Sequence, residues 1–240
     1  GERTEPSEFA KLLAGKYREI LAAGEMPEEM RISILSLIYK DKGKREHLKN
    51  YRPIACSNLT FRILGKAMVI GIRPLLPHLV SPTQAAFQRD TSISDTVRLV
   101  QDIIDYCEKE GEEGMIVFCD QDGAYPRVEW SFLLRTMHTM NIHPDFIRLV
   151  ECMYHKPQIH VKINGHVDQT AFEPTNGLHQ GCCCAPILYL LYLQTFLSLI
   201  ATADGVQDGE EAPRMHGIQI PGENGNLVET RTGCFTDDLT

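Results

Sequence analysis

Three acidic residues stand in unusual settings. Asp120 directly follows the unbroken apolar run Met115, Ile116, Val117, Phe118 and Cys119, and Asp237 and Asp238 follow Gly233, Cys234, Phe235 and Thr236. If the two segments are neighbours in one sheet, the three carboxylates converge. Phosphoryl transfer needs such a cluster, because two Mg²⁺ ions about 4 Å apart activate the attacking oxygen and stabilise the leaving one. Hard oxygen ligands suit that ion. Taken one at a time, the same residues read as a helix cap at Asp120 and a hairpin turn at Asp237 and Asp238, so the order and spacing of the surrounding chain must decide.

The elements that would carry these residues can be read from periodicity. Phe9, Leu12, Leu13, Tyr17, Ile20 and Leu21 recur at helical spacing between Pro6 and Gly24, which predicts an amphipathic packing helix over residues 1–23. Ile32–Tyr39 is dense in β-branched and apolar residues and predicts a strand, feeding the basic, glycine-containing loop Lys40, Asp41, Lys42, Gly43, Lys44, Arg45. A second short strand begins at Asn50-Tyr51-Arg52-Pro53-Ile54, and Phe61, Leu64, Met68 and Ile72 mark a helix stopped by Pro74. Between Thr91 and Gly111 a further helix is expected, with Ser94 as its cap and Gly111 as its stop.

The run 115–119 has the look of a buried central strand. Helices are expected at about 129–141 and 144–155, and Asn164-Gly165 between apolar flanks signals a hairpin. Ala185–Ile200 is apolar nearly all round, as a core helix would be. Residues 215–220 and 227–235 bracket a second hairpin with Asp237 and Asp238 at its far end. Together these predict an α+β fold, an antiparallel sheet with helices packed on one face.

Composition bounds the rest. A chain of 240 residues with 43% hydrophobic content can bury one large core or two small ones. The net charge of −8 weighs against a polyanion partner, but its distribution matters more. Residues 31–100 hold 12 Lys and Arg against 4 Asp and Glu, whereas 101–240 hold 8 against 21. No run approaches the roughly 18 apolar residues of a membrane span, and the charged N-terminus lacks an apolar leader. An intracellular protein, nuclear or cytoplasmic and without a membrane partner, is expected; opening at Gly1, the chain is expected to begin inside a longer gene product. The eight cysteines form no zinc-ligand spacing, and three are consecutive, Cys182-Cys183-Cys184. They read as reduced packing thiols.

At this point a family resemblance becomes specific. Phe118-Cys119-Asp120, followed by Ala124, Tyr125, Arg127 and Val128, resembles the first polymerase motif of reverse transcriptases. Asn176-Gly177-Leu178-His179-Gln180-Gly181-Cys182 with Ala185-Pro186 resembles the second, and Phe235-Thr236-Asp237-Asp238 the third. Gly24 with Pro27, Lys40-Asp41-Lys42-Gly43, Asn50-Tyr51-Arg52-Pro53-Ile54 and Gln84-Ala85-Ala86-Phe87 are similar to fingers blocks of the LINE-type (non-long-terminal-repeat) branch.

The resemblance implies a right-hand polymerase fold, with fingers over 24–112, palm over 113–240 and the thumb absent. It implies an RNA-directed DNA polymerase using an RNA template, a DNA primer and deoxynucleoside triphosphates, with two Mg²⁺ ions, or Mn²⁺, held by Asp120, Asp237 and Asp238. Tyr125 falls at the steric gate against a ribose 2′-hydroxyl. Arg52 with Lys40, Lys42 or Lys44 falls where the triphosphate is gripped, and Gln180 and Gly181 line the nucleotide pocket. The chain departs from the family pattern at Gly123, where a Lys is usual, at Pro126, where an Asp is usual, and at His179, where an Arg is usual. A catalytically silent relative that binds nucleic acid or only folds is the alternative. An unrelated two-metal nuclease would explain the carboxylates but not Tyr125, Gln180-Gly181 or the basic blocks.

Overall fold

The computed structural model describes residues 5–87, 91–121, 123–202, 206–207, 210–211, 217–221, 227–230 and 238–239. In chain order the elements are α1 (Glu8–Ala23), α2 (Glu28–Arg31), β1 (Ile32–Tyr39), β2 (Tyr51–Ser57), α3 (Leu59–Ile72), α4 (Leu76–Leu79), α5 (Ile93–Glu110) and β3 (Cys119–Asp120). They continue with α6 (Trp130–Thr139), α7 (Pro144–Tyr154), β4 (Gln158–Ile163), β5 (His166–Val167), α8 (Ala185–Thr202), β6 (Val206–Gln207), β7 (Glu210–Glu211), β8 (Ile218–Pro221), β9 (Leu227–Thr230) and β10 (Asp238–Leu239). Among the described residues no helix is long and apolar enough to cross a membrane.

The chain forms two compact units, each built from two separate stretches: residues 1–72 with 125–185, and residues 73–124 with 186–240. In the first unit a four-stranded sheet runs in the order β2, β1, β4, β5. β1 pairs antiparallel with β2, so that Tyr39 faces Tyr51, and β4 turns back on β5 through Asn164-Gly165. Between β1 and β4, however, the pairing is parallel, with Ile32 against Gln158. The sheet is therefore mixed and not the antiparallel sheet expected, because the long helical crossover between β1 and β4 frees their relative direction from the constraint that a tight turn imposes. Pro53 can sit in β2 because β2 is an edge strand, where a missing ladder donor is tolerated.

The helices of the same unit pack on one another. α7 packs against both α1 and α6, and it buries Ile147, Val150 and Met153. α3 begins where the Asn58 carboxamide oxygen accepts from the Phe61 amide at 2.8 Å, and it buries Phe61, Leu64, Met68 and Ile72 as its spacing predicts. α1 ends at Gly24, whose left-handed φ of 80° lets its amide reach the Ile20 carbonyl. Of its apolar stripe only Ile20 is fully buried, and Phe9 and Leu12 face solvent.

In the second unit, α5 starts at Ser92 and not at Ser94. The Ser92 amide donates to the Asp95 carboxylate at 2.6 Å, and the Ser92 side chain returns the contact to the Asp95 backbone. This reciprocal box satisfies two helix-end donors, and Ser94 has no acid three residues on to do the same. α8 is apolar throughout, and its Gln194 carboxamide accepts from the Ser81 amide at 2.7 Å. The expected second hairpin forms as β8 and β9, with Ile218 against Thr230.

One expectation is overturned. The run 115–119 is not a buried central strand: only Cys119 and Asp120 enter a ladder, and Met115 and Phe118 are 83% and 63% exposed. An apolar run becomes a central strand only where partners flank it, and β3 has a two-residue partner on one side.

Removing the capping box tests the α5 boundary. Asp95→Ala should cost about 1 kcal/mol and lower the melting midpoint by about 2–4 °C, whereas Ser94→Ala should leave it unchanged; circular dichroism melts of both variants decide.

Candidate active site

The second unit brings two of the expected acidic positions together. β3 and β10 pair antiparallel with Asp238 directly opposite Asp120, and Leu239 opposite Cys119. Asp120 is exposed to solvent, so its charge is hydrated and open to a ligand. Beyond Asp120, Gln121 is fixed by the Tyr189 hydroxyl of α8, which donates to its carboxamide oxygen. Asp237 lies outside the described residues. Among the described residues no group of three acidic, histidine or cysteine side chains is arranged to hold a metal.

The residues expected to meet a nucleotide lie in the first unit, and several are fastened to one frame. Tyr125 opens a short helical turn with Pro126 and Arg127. Its carbonyl accepts from the Leu178 amide at 2.8 Å, and the Val128 carbonyl accepts from the Gly177 amide at 2.7 Å. The Trp130 indole donates to the Gly177 carbonyl at 2.8 Å. The tail of the first motif and the start of the second thus form one backbone-bonded unit.

Two glycines make that approach possible. Gly177 has φ of 90°, and a Cβ there would lie 2.9 Å from the Pro126 carbonyl oxygen. Gly181, at φ of 108°, would place a Cβ 2.7 Å from the Ala55 carbonyl oxygen. Between them, the Gln180 carbonyl accepts from the Ala55 amide at 2.7 Å, using a donor on the open edge of β2. Gln180 is half-buried, and on β2, three residues from Ala55, Arg52 is exposed.

The basic loop has its own order. Gly43 takes a left-handed φ of 79°, and the Asn50 carboxamide donates to the Lys44 carbonyl at 2.6 Å. Arg45 lies 4.9 Å over the Tyr39 ring, and Lys40 donates to the Lys49 carbonyl at 3.0 Å. Lys42 and Lys44 are exposed. Gly123 adopts φ of 69°, so the usual Lys would be strained there unless the backbone changed.

His179 carries a feature that motif matching could not supply. It is buried, its ring stands edge-on to Tyr154 at 5.5 Å between centroids, and neither ring nitrogen has a hydrogen-bond partner. Burial pushes its pKa below the ordinary histidine value, keeping the ring neutral. The cationic Arg usual at this position would meet the same desolvation.

Two measurements probe these contacts. Gly177→Ala should destabilise more than Gly165→Ala in urea unfolding, because both have positive φ but only Gly177 has a carbonyl where the methyl must go; the shared backbone term is about 1–2 kcal/mol, and equal losses would show that the close approach is absent. For His179 the lowered folded pKa means that the unfolded chain binds the proton more readily. Its contribution is fully present above an unfolded pKa of about 6.5 and is lost as pH falls below that value. His179→Phe should flatten this part of the stability profile.

A family model described as "Reverse transcriptase (RNA-dependent DNA polymerase)" matches residues 39–240. The "Transposon TX1 uncharacterized 149 kDa protein" of Xenopus laevis is 30% identical over 194 residues, which cover 80% of this chain; the chain spans 14% of the length of that protein. Two solved structures, a "Partial Cas6-RT-Cas1--Cas2 complex" and a "Cas6-RT-Cas1--Cas2 complex", each align over 99% of this chain at 17% identity and a TM-score of 0.41, and the alignments cover 34% and 21% of those chains.

Proposed function

Because this chain belongs to the reverse transcriptase (RNA-dependent DNA polymerase) family, we propose that it is the nucleotide-adding domain of a LINE-type element, copying an RNA template onto the 3′-hydroxyl of a DNA primer. The observation that carries this reading furthest is the register of β10 on β3, which sets Asp238 opposite Asp120. The likeness to a transposon protein agrees with it.

The donor chemistry fits a hard divalent cation, since carboxylate oxygens are the ligands Mg²⁺ prefers. Asp120, Asp237 and Asp238 would hold two Mg²⁺ ions, or Mn²⁺. When bound, the ions supply charge neutralisation and a more acidic primer hydroxyl. The chain's own residues do the rest by position. Arg52, with its planar fork, binds two phosphate oxygens at once, and Lys40 or Lys42 adds a point charge. Tyr125 closes the space where a ribose 2′-hydroxyl would lie. Gln180 and Gly181 form the wall beside the incoming base, where a glycine lets the backbone approach.

The bonds from Tyr125 to Leu178 and from Ala55 to Gln180 support a common frame for these nucleotide-contacting residues. The competing silent reading gains from Gly123 and Pro126, and activity separates the two.

The test is primer extension by the chain within its full-length reading frame, with an RNA template and deoxynucleotides. Mg²⁺-dependent extension is expected; Asp120→Asn and Asp237→Asn should each lower it by at least about 100-fold. Tyr125→Ala should admit ribonucleotides while leaving metal dependence intact. Binding of primer-template and Mg²⁺ with no nucleotide added would transfer the assignment to the silent reading.

A further inference from the structure

The three consecutive cysteines lie close together in the structure. All three sulfurs gather over the helix glycine Gly65, with Cys183 and Cys184 Sγ 3.6 Å and Cys182 Sγ 3.7 Å from the place a Cβ would occupy there. Within this group two thiols are singled out. Cys182 Sγ and Cys184 Sγ are 3.2 Å apart, and both residues are buried. Cys183, half-buried, is directed to the Arg62 carbonyl at 3.4 Å and so is engaged elsewhere.

The pair is chemically unequal. The contact between the two thiols lowers the Cys182 pKa and, together with burial, raises that of Cys184 well above the usual value. A thiolate-favouring sulfur beside a protonated one is the pattern of an attacking and a resolving cysteine. The other described cysteines have no thiol partner at such range among the described residues. Gly181, immediately before the pair, is exposed and gives a small oxidant a side from which to approach.

We propose that Cys182 and Cys184 are a reversible oxidation site, closing to a disulfide on reaction with a hydroperoxide and thereby altering the turn that carries Gln180 and Gly181. Cys182 sulfur attacks one peroxide oxygen, the O–O bond breaks, and the peroxide leaves as water or an alcohol while Cys182 becomes a sulfenic acid. Cys184 sulfur then attacks Cys182 sulfur. The S–S bond forms as the S–O bond breaks, and the departing hydroxyl takes the Cys184 proton to leave as water. In balance, the peroxide gains two electrons and the protein loses two hydrogens; an external thiol restores both cysteines by exchange. Closure draws the sulfurs together by roughly 1 Å, to the covalent distance of about 2.05 Å. That movement acts on Gly181, whose Cα is backed on one side by the Ala55 carbonyl.

The formation of the disulfide is independent of the polymerase reading, and its readout uses no nucleotide. Reduced full-length protein is treated with hydrogen peroxide, then its free thiols are blocked and its peptides mapped by mass. The expected product has lost two hydrogens within the peptide containing 182–184, joins Cys182 to Cys184, and returns to the starting mass with dithiothreitol. Cys183→Ser should still form it, and Cys184→Ser should stop at a trappable sulfenic acid on Cys182. Hydrogen exchange at the Ala55 amide, the donor to Gln180, should differ by several-fold between the reduced and oxidised forms. A crosslink through Cys183, oxidation confined to the exposed Cys56 and Cys119, or irreversible over-oxidation of Cys182 would overturn the site; an unchanged Ala55 amide would overturn its action on the turn. Because the map is made on the unsubstituted protein, its outcome does not depend on whether either variant folds.

Discussion

The first unit depends on backbone meeting backbone without a side chain between. At Gly177 the chain passes against the Pro126 carbonyl, and at Gly181 against that of Ala55, both closer than any Cβ permits. The adjoining hydrogen bonds, from Gly177 to Val128, from Leu178 to Tyr125 and from Ala55 to Gln180, form only at that separation. A buried backbone group deprived of its partner costs about 1–3 kcal/mol, so widening the gap endangers several contacts at once. The segment 176–182 therefore works as a strap, binding the turn at Tyr125 to the edge of β2. Side chains as far apart in sequence as Arg52, Tyr125 and Gln180 are held on one scaffold by it.

How much of this was legible in the sequence depended on whether the signal was local. α3, α6, α7 and α8, the strands β1 and β2, and the Asn164-Gly165 hairpin all announced themselves, because a helical stripe or a turn dipeptide is written in neighbouring residues. Pairings between distant strands are not so written. Nothing in Ile32–Tyr39 names Gln158–Ile163 as a parallel partner, and nothing in Met115–Cys119 reveals that, among the described residues, this apolar run has a paired flank on one side only. The start of α5 shows a finer limit: Ser92 and Ser94 are equally good caps by type, and the acid three residues beyond Ser92 settles the choice.

The site was legible in a similar, uneven way. Motif order led to Asp120 and Asp238, and the register of two short strands puts them opposite one another. Gly177 and Gly181 could be read as motif letters, but their carbonyl neighbours could not. His179 was visible as a departure from a pattern and the cysteines after it as a consecutive run, and their chemistry was not. A neutral buried ring and a pair of thiols in contact are properties of surroundings, which in this chain come from Phe61, Tyr154, Met153 and Gly65.

The parallel pairing of β1 with β4 also sets a clock. β1 leaves a ribosome well before its parallel partner, because the strand that completes its inner side lies beyond α3, α5, α6 and α7 in the chain. Synthesis at about 5–20 residues per second makes that wait on the order of ten seconds. During it, β1 has only the antiparallel hairpin with β2, and a two-stranded ribbon is marginal in water. Closing so long a loop also lowers the rate at which the sheet nucleates. Until β4 is made the nascent chain thus carries an open strand edge on β1, and an unpaired edge is where a second nascent copy would add.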